Sequence, residues 1–188
     1  LTLDDYQELK GAMQQAYKSM PNLYWRENQI KTLIEKFPEG QVVIKINNQI
    51  AGCALSIIVD YDEFDDIHTY EDITGNYTFN THDADKGDAL YGIDVFIKPE
   101  FRGLRLGRRL YDYRKELCEK LNLRGIAFGG RIPNYHRYSK DISPKEYIDK
   151  VRRKEIHDPV LNFQISNDFH PVRTVSYTHL TLPTIYSV

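Results

Sequence analysis

The chain has 188 residues, 41% of them apolar, with 14 Tyr and a formal net charge of −2, which is room for one domain with a sizeable core. No apolar run approaches the ~18 residues that span a membrane, and no charged-then-apolar leader follows Leu1. Two cysteines are too few for a disulfide framework or a zinc knuckle, so Cys53 and Cys118 read as small buried groups in a reducing, cytoplasmic setting, with a cysteine nucleophile as the alternative.

In chain order, Leu3 to Tyr17 read as a helix with Leu9, Met13 and Ala16 on its apolar face, broken by Pro21-Asn22. A second helix is expected over Glu27 to Phe37, with Ile30, Leu33, Ile34 and Phe37 as its stripe and Pro38-Glu39-Gly40 as its stop. The period then changes. Gln41 to Ile46 and Ile50 to Val59 are β-branched runs joined by Asn47-Asn48, which is hairpin chemistry.

Asp60 to Asp88 carries ten Asp or Glu against one Lys and reads as a long solvated loop, a candidate substrate lid suited to a cationic partner. Asp60, Asp62, Asp66 and Glu71 fall on positions of a calcium-loop template. Phe64 stands where a ligand belongs, however, and Asp65 where the template needs Gly, so no metal site is expected.

Ala89 to Ile97 is the next strand, apolar from Ile93 onward except for Asp94. The turn Lys98 to Arg105 leads into a helix to about Leu121, with Leu106, Leu110, Tyr113, Leu117 and Leu121 expected to face the core. Arg124 to Phe128 is a further strand, closed by Gly129-Gly130. Strand, helix, strand implies a parallel pair with a right-handed crossover. Ser143-Pro144-Lys145-Glu146 then signals a capped helix to about Lys154, and Val160 to Phe169 reads as a strand entering a short helix.

The tail Val175-Ser176-Tyr177-Thr178-His179-Leu180-Thr181-Leu182-Pro183-Thr184 resembles the in-frame translation of a transposon-end sequencing adapter. Residues 175–188 are therefore expected to be non-native, leaving 1–174 as the natural domain, which is expected to continue beyond Thr174 in another direction.

The chemistry concentrates on the turn after the third strand. Between Lys98 and Arg131 lie ten Lys or Arg against four acids, so this stretch should attract anions. Unpaired N–H groups at a helix start, together with the helix dipole, form an anion site. Gly103 and Gly107 allow close approach, and Arg102, Arg105, Arg108 and Arg109 add charge. A nucleic-acid surface is not expected, because the basic stretch is single and the chain is acidic overall.

Tyr91 to Gly107 with the helix to Leu121 resembles the pyrophosphate-binding motif of GNAT acyltransferases, Arg/Gln-x-x-Gly-x-Gly/Ala, and the element order over residues 1–174 is similar to that α/β fold, a mixed sheet flanked by helices. The family's first strand and the C-terminal end are expected to be missing. Arg102 to Tyr111, Glu116-Leu117-Cys118 and Gly129-Gly130-Arg131-Ile132-Pro133 are most similar to the branch fused ahead of a carbon–nitrogen hydrolase domain. The resemblance implies acetyl-CoA as co-substrate. Pantetheine would bond the backbone of Val95 and Ile97, the pyrophosphate would sit on Arg102, Gly103, Leu104, Arg105, Leu106, Gly107 and Arg108, and a small-molecule or peptide amine would attack the thioester directly. A non-catalytic acyl-CoA-binding or docking domain beside a hydrolase is the alternative.

Two positions depart from the family pattern. Arg105 stands at a motif glycine. In Phe163 to Phe169, where the family often carries Tyr-x-x-x-Gly-Phe, Gln164 replaces the Tyr and Asp168 the Gly. Gln cannot serve as general acid. The catalytic candidates are Asp94, a carboxylate in an apolar strand, and Tyr91, at about the position where some members carry their base. Tyr135, His136 and Tyr138 offer further acid–base groups.

Overall fold

The structure, a computed structural model of the chain, describes residues 1–18, 20, 22–64, 68–176 and 181–187, with side chains described as far as residue 172. The expected break at Pro21, the template positions Asp65 and Asp66, and tail residues 177–180 and 188 lie outside the described residues. The chain divides into two units, Leu1–Ile126 and Ala127–Val188.

In the first unit a short 3₁₀ turn, Leu3–Asp5, leads into α1 (Tyr6–Ala16), and α2 (Glu27–Lys36) follows. α1 buries Tyr6, Leu9, Ala12 and Met13, so its buried face includes Ala12, while Ala16 is only half-buried. α2 buries Ile30 and Leu33, with Phe37 just beyond its end. Both helices pack on β2. Leu9, Met13, Ile30 and Leu33, fully withdrawn from water, each stabilise the fold by about 1.5–3 kcal/mol.

β1 (Gln41–Ile46) and β2 (Gln49–Val59) form an antiparallel hairpin. Asn47 and Asn48 turn it with φ of 50° and 61°, the paired left-handed conformation of a type I′ turn, which Asn tolerates better than most residues. β2 also pairs antiparallel with β3 (Ala89–Ile97), and two buried layers follow from its nearly unbroken apolar run.

The β2–β3 register slips once. Leu55 faces Asp94 but Ser56 faces Gly92, so Ile93 is the extra residue of a β-bulge. α4 (Leu106–Lys120) crosses back over β3, β2 and β1 to β4 (Gly125–Gly129), which makes the sheet mixed. The two strands start level, the Arg124 N–H donating to Asp88 O at 2.7 Å. β3 has nine residues and β4 five.

The expected face of α4 needs correction. Leu106, Leu110 and Leu117 are buried, but Tyr113 and Leu121 are 37% and 39% exposed. The buried stripe turns instead towards Gly107, Tyr111, Arg114 and Cys118, because Arg114 is drawn inward by partners on the sheet. Cys53 and Cys118 are both buried and free, and burial pushes both thiols up, which removes the nucleophile reading.

The acidic Asp60 to Asp88 segment is more ordered than a solvated loop. It contains a 3₁₀ turn, Tyr61–Glu63, and α3 (Tyr70–Ile73), capped by Thr69, whose hydroxyl accepts from Asp72 N–H at 3.0 Å. Ile73, Thr74 and Phe79 are fully buried. His82 Nδ1 accepts from Ile58 N–H at 3.0 Å and its ring stacks on Phe37. Asp60 caps its own turn, and Asp62 and Asp88 pair with Arg124 at 3.0 Å each. No metal-ligating cluster occurs among the described residues.

In the second unit α5 (Pro144–Arg152) starts as expected, Ser143 Oγ accepting from Glu146 N–H at 3.2 Å, while Glu146 lies 3.9 Å from Lys150. The expected strand after Asp158 is instead α6 (Pro159–Ile165). Asp158, fully buried, accepts from Val160 and Leu161 N–H as N-cap, and Pro159 takes the first helical position, so the cap chemistry outweighs the apolar run. Asp158 also accepts from Tyr147 Oη at 2.8 Å and Asn134 N–H at 3.1 Å. β5 (His170–Ser176) and β6 (Thr181–Ser187) pair antiparallel, and β6 follows β4 in the strand order. No helix among the described residues is long and apolar enough to cross a membrane.

Candidate active site

The site grows from the bulge in β3. A bulge frees backbone oxygens from the ladder, and buried ones must find donors. Tyr70, on α3, donates its hydroxyl to Ile93 O at 2.9 Å. Arg114, on α4 and only 2% exposed, donates through Nη2 to Leu55 O at 2.7 Å and Asp94 O at 2.6 Å, and through Nε to Ser56 Oγ at 3.1 Å.

The Asp94 carboxylate accepts from Tyr17 Oη and, at 3.0 Å, from Trp25 Nε1. Tyr17 closes α1 and Trp25 precedes α2, so the connection between these helices carries both donors. Burial holds the Asp94 carboxyl above its ordinary range, although the Tyr17 and Trp25 hydrogen bonds, the Val95 N–H and the Arg114 charge pull the other way. A carboxylate raised by burial yet held by two donors is a proton acceptor with a fixed geometry.

Aromatic rings surround this group. Tyr17 meets Phe96 edge-on at 6.0 Å, Trp25 lies 5.6 Å from Phe79 and 6.0 Å from Tyr77, and Tyr70 lies 5.9 Å from Tyr77 and 6.5 Å from Tyr91. Tyr91 is 2% exposed, and Tyr70 links it to the Asp94 cluster. Burial, with Asp94 and neighbouring tyrosines, keeps the Tyr70 hydroxyl far from ionising. Tyr77 donates to Glu71 at 2.7 Å and is pushed up to about 12 by burial and that carboxylate.

Downstream the ladder alternates. Lys98 N–H donates to Ala51 O at 2.8 Å and Phe96 faces Cys53, so the backbone groups of Val95 and Ile97 point away from β2. After a 3₁₀ turn, Pro99–Phe101, residues Arg102 to Arg105 are exposed. Gly103 has φ of 84° with nothing within 4 Å of where a Cβ would stand. Arg105 sits at the N-cap of α4 with φ of 57° and ψ of 21°, a left-handed residue. It therefore keeps the backbone that a glycine would adopt at this position, and its side chain projects into solvent. Asp168, at the other departure, likewise has φ of 69°. Leu106 and Gly107 are buried, so they can offer a ligand only their backbone, while Arg108 is exposed, 3.9 Å from Asp112. Beside this turn Gln14 and Gln15 of α1, with Lys18 just past its end, line a shallow depression with Pro99 and Arg102.

The remaining candidates belong to the second unit. Tyr135 donates to Ile142 O at 3.0 Å, and Tyr135 and Tyr138 each pack on Tyr147 at 5.4 Å. His136 Nδ1 lies 2.7 Å from Pro133 O. Gln164 is buried at 4% exposure in α6. Tyr17, Trp25, Tyr70 and Arg114 are functional neighbours that sequence reasoning missed. Trp25 is the single Trp of the chain, but Arg114 is one of three arginines on the polar helix α4, and neither pattern names Asp94 as a partner.

Against this geometry, a profile of the acetyltransferase (GNAT) family matches residues 6–138. The chain is 42% identical over 149 residues to a Bacillus subtilis (strain 168) protein named probable hydrolase YhcX, covering 79% of this chain but only 29% of that protein. It is 34% identical over 154 residues to YkwB of the same organism, named an uncharacterized N-acetyltransferase, covering 82% and 68%. The loading GNATL domain of CurA from Lyngbya majuscula superposes with a TM-score of 0.82 at 19% identity, covering 99% of this chain and 94% of that one, a likeness of fold.

Proposed function

The chain belongs to the acetyltransferase (GNAT) family, and from that premise we propose that it transfers an acyl group, acetyl by preference, from acyl-CoA to an amine by direct attack. The observation that carries the reading is the left-handed Arg105 at the start of α4, which preserves the turn geometry of a glycine while adding a cation. Arg102, Gly103, Leu104, Arg105, Leu106, Gly107 and Arg108 would hold the pyrophosphate, the first four and Arg108 from exposed positions and Leu106 and Gly107 through backbone alone. Val95 and Ile97 would bond the pantetheine through backbone groups that the β2 ladder leaves unused.

Acyl-CoA supplies the acyl group as an activated thioester. Asp94 takes the proton of the attacking nitrogen as the amide bond forms and the carbon–sulfur bond breaks. Tyr17 and Trp25 orient that carboxylate. Gln164 has no acidic proton to give, so the thiolate departs and is protonated from water. Tyr91 supports Tyr70, which in turn fixes the bulge. The acidic Asp60 to Asp88 segment favours a cationic acceptor, whether a small molecule or a peptide.

Titration of acetyl-CoA into the chain, beside Arg105→Glu, tests the reading. Saturable binding weakened tenfold or more by the charge reversal supports it, and absence of binding by folded protein refutes it. A second reading draws on the 29% coverage of the hydrolase relative: the domain would bind acyl-CoA without turnover and regulate a fused carbon–nitrogen hydrolase. Amine-dependent release of CoA thiol separates the two.

A further inference from the structure

Just past α3, Gly75, Asn76, Tyr77 and Phe79 have φ of 59°, 53°, 64° and 57°. Left-handed backbone is costly for a bulky side chain. Phe79 is fully buried, whereas Tyr77 stays 36% exposed, so burial offsets little of the cost at Tyr77. What the conformation secures there is a position. The Tyr77 ring stands 6.0 Å from Trp25 and 5.9 Å from Tyr70, and its hydroxyl donates to the exposed Glu71 carboxylate at 2.7 Å. Trp25 in turn donates to half-buried Asp94 at 3.0 Å. A chain of contacts thus runs from Asp94 through Trp25 and Tyr77 to Glu71, an aromatic wall between two carboxylates.

We propose that the exposed ring of Tyr77, the half-buried indole of Trp25 and the Glu71 carboxylate form a subsite for a second cation, so that the acceptor is a diamine. The inference rests on the acyltransferase reading and names its substrate class. One nitrogen gives its proton to Asp94 and takes the acetyl group, while the carbon–sulfur bond breaks and CoA leaves as the thiolate. The other nitrogen stays an ammonium and makes no bond. Aromatic faces attract it through their quadrupole, Trp most strongly, and Glu71 supplies the countercharge that a purely aromatic wall would lack. The indole separates the two carboxylates, so the chain joining the nitrogens must be long enough to pass it. Tyr77 and Glu71 act on specificity and take no part in the proton transfer.

The test follows release of CoA thiol from acetyl-CoA with putrescine and cadaverine, each beside the monoamine of the same chain, butylamine and pentylamine. Wild type is compared with Tyr77→Asn and Glu71→Gln. Asn tolerates the left-handed backbone, and Gln keeps an acceptor for the Tyr77 hydroxyl, so both variants preserve the turn. The readout is the ratio of kcat/KM for diamine over monoamine within each protein, which cancels any general loss of activity. Wild type should favour the diamine by about tenfold, and each variant should bring the ratio close to one. Equal use of diamine and monoamine by wild type overturns the inference while leaving the acyltransferase reading intact. A preference that survives in Tyr77→Asn reveals general attraction by the acidic segment, and one that survives in Glu71→Gln removes the countercharge; either overturns it as well. If wild type releases no thiol with any of the four amines, the acyltransferase reading fails and the inference falls with it.

Discussion

Arg114 donates to the main-chain oxygen of Asp94 at 2.6 Å from one side of β3, while the carboxylate of the same Asp94 accepts from Tyr17 and Trp25. One residue thus ties the crossover helix to the connection between α1 and α2, through a bulge that neither element contains. Stability and the presentation of the carboxylate therefore depend on the same contacts.

Replacing Arg114 by Met should destabilise the fold by about 3 kcal/mol, since it leaves the buried oxygens of Leu55, Ser56 and Asp94 without this donor. Urea unfolding measures the loss. Arg114→Lys should recover only part of it, because a single ammonium cannot reproduce the planar fork.

Activity should show an acidic limb set by Asp94. The carboxyl lies above its ordinary value of 3.8 through burial, and the Tyr17 and Trp25 hydrogen bonds restrain that rise. Tyr17→Phe and Trp25→Phe should each move the limb of kcat/KM to higher pH, with acetyl-CoA affinity unchanged. A limb that stays in place would separate these donors from the base.

The same shift fixes a stability trend. The folded chain holds the Asp94 proton more tightly than the unfolded chain does, so this carboxyl favours the fold most below 3.8. Its contribution falls as pH rises through the folded value. The stability of Asp94→Asn relative to wild type should accordingly shift in favour of the variant as pH rises through that window, as read from melting temperatures across a pH series.

The turn yields a prediction with opposite signs. Arg105→Gly should stabilise the fold by about 1 kcal/mol, because a left-handed backbone costs a side-chain-bearing residue about 1–2 kcal/mol, yet it should weaken acetyl-CoA binding through the lost charge. Gly103→Ala meets no atom, but φ of 84° makes it destabilising by about 1–2 kcal/mol.

Local signals made most of the elements legible. Asn47-Asn48 announced the hairpin, Ser143-Pro144 the start of α5, and the change from helical to alternating period the start of the sheet. The stripe of α4 was misplaced because an apolar reading rejects Arg114, whose burial follows from oxygens released by a bulge at Ile93 that no local pattern marks. The strand read after Asp158 failed because the side chain of Asp158 caps α6. Asp94 could be singled out as a carboxylate in an apolar strand. Its partners could not, since Tyr17 and Trp25 lie 77 and 69 residues away and only the packed fold brings them to it. The two family-glycine positions, Arg105 and Asp168, read as departures in sequence but keep left-handed backbones.

Release of CoA thiol from acetyl-CoA, followed with and without a cationic amine for wild type and Asp94→Asn, tests the central claim most directly. The account predicts amine-dependent release that falls by about 10²–10⁴-fold in Asp94→Asn while acetyl-CoA affinity is retained. Acetyl-CoA binding without amine-dependent release across a panel of cationic amines, or release indifferent to Asp94, would contradict it.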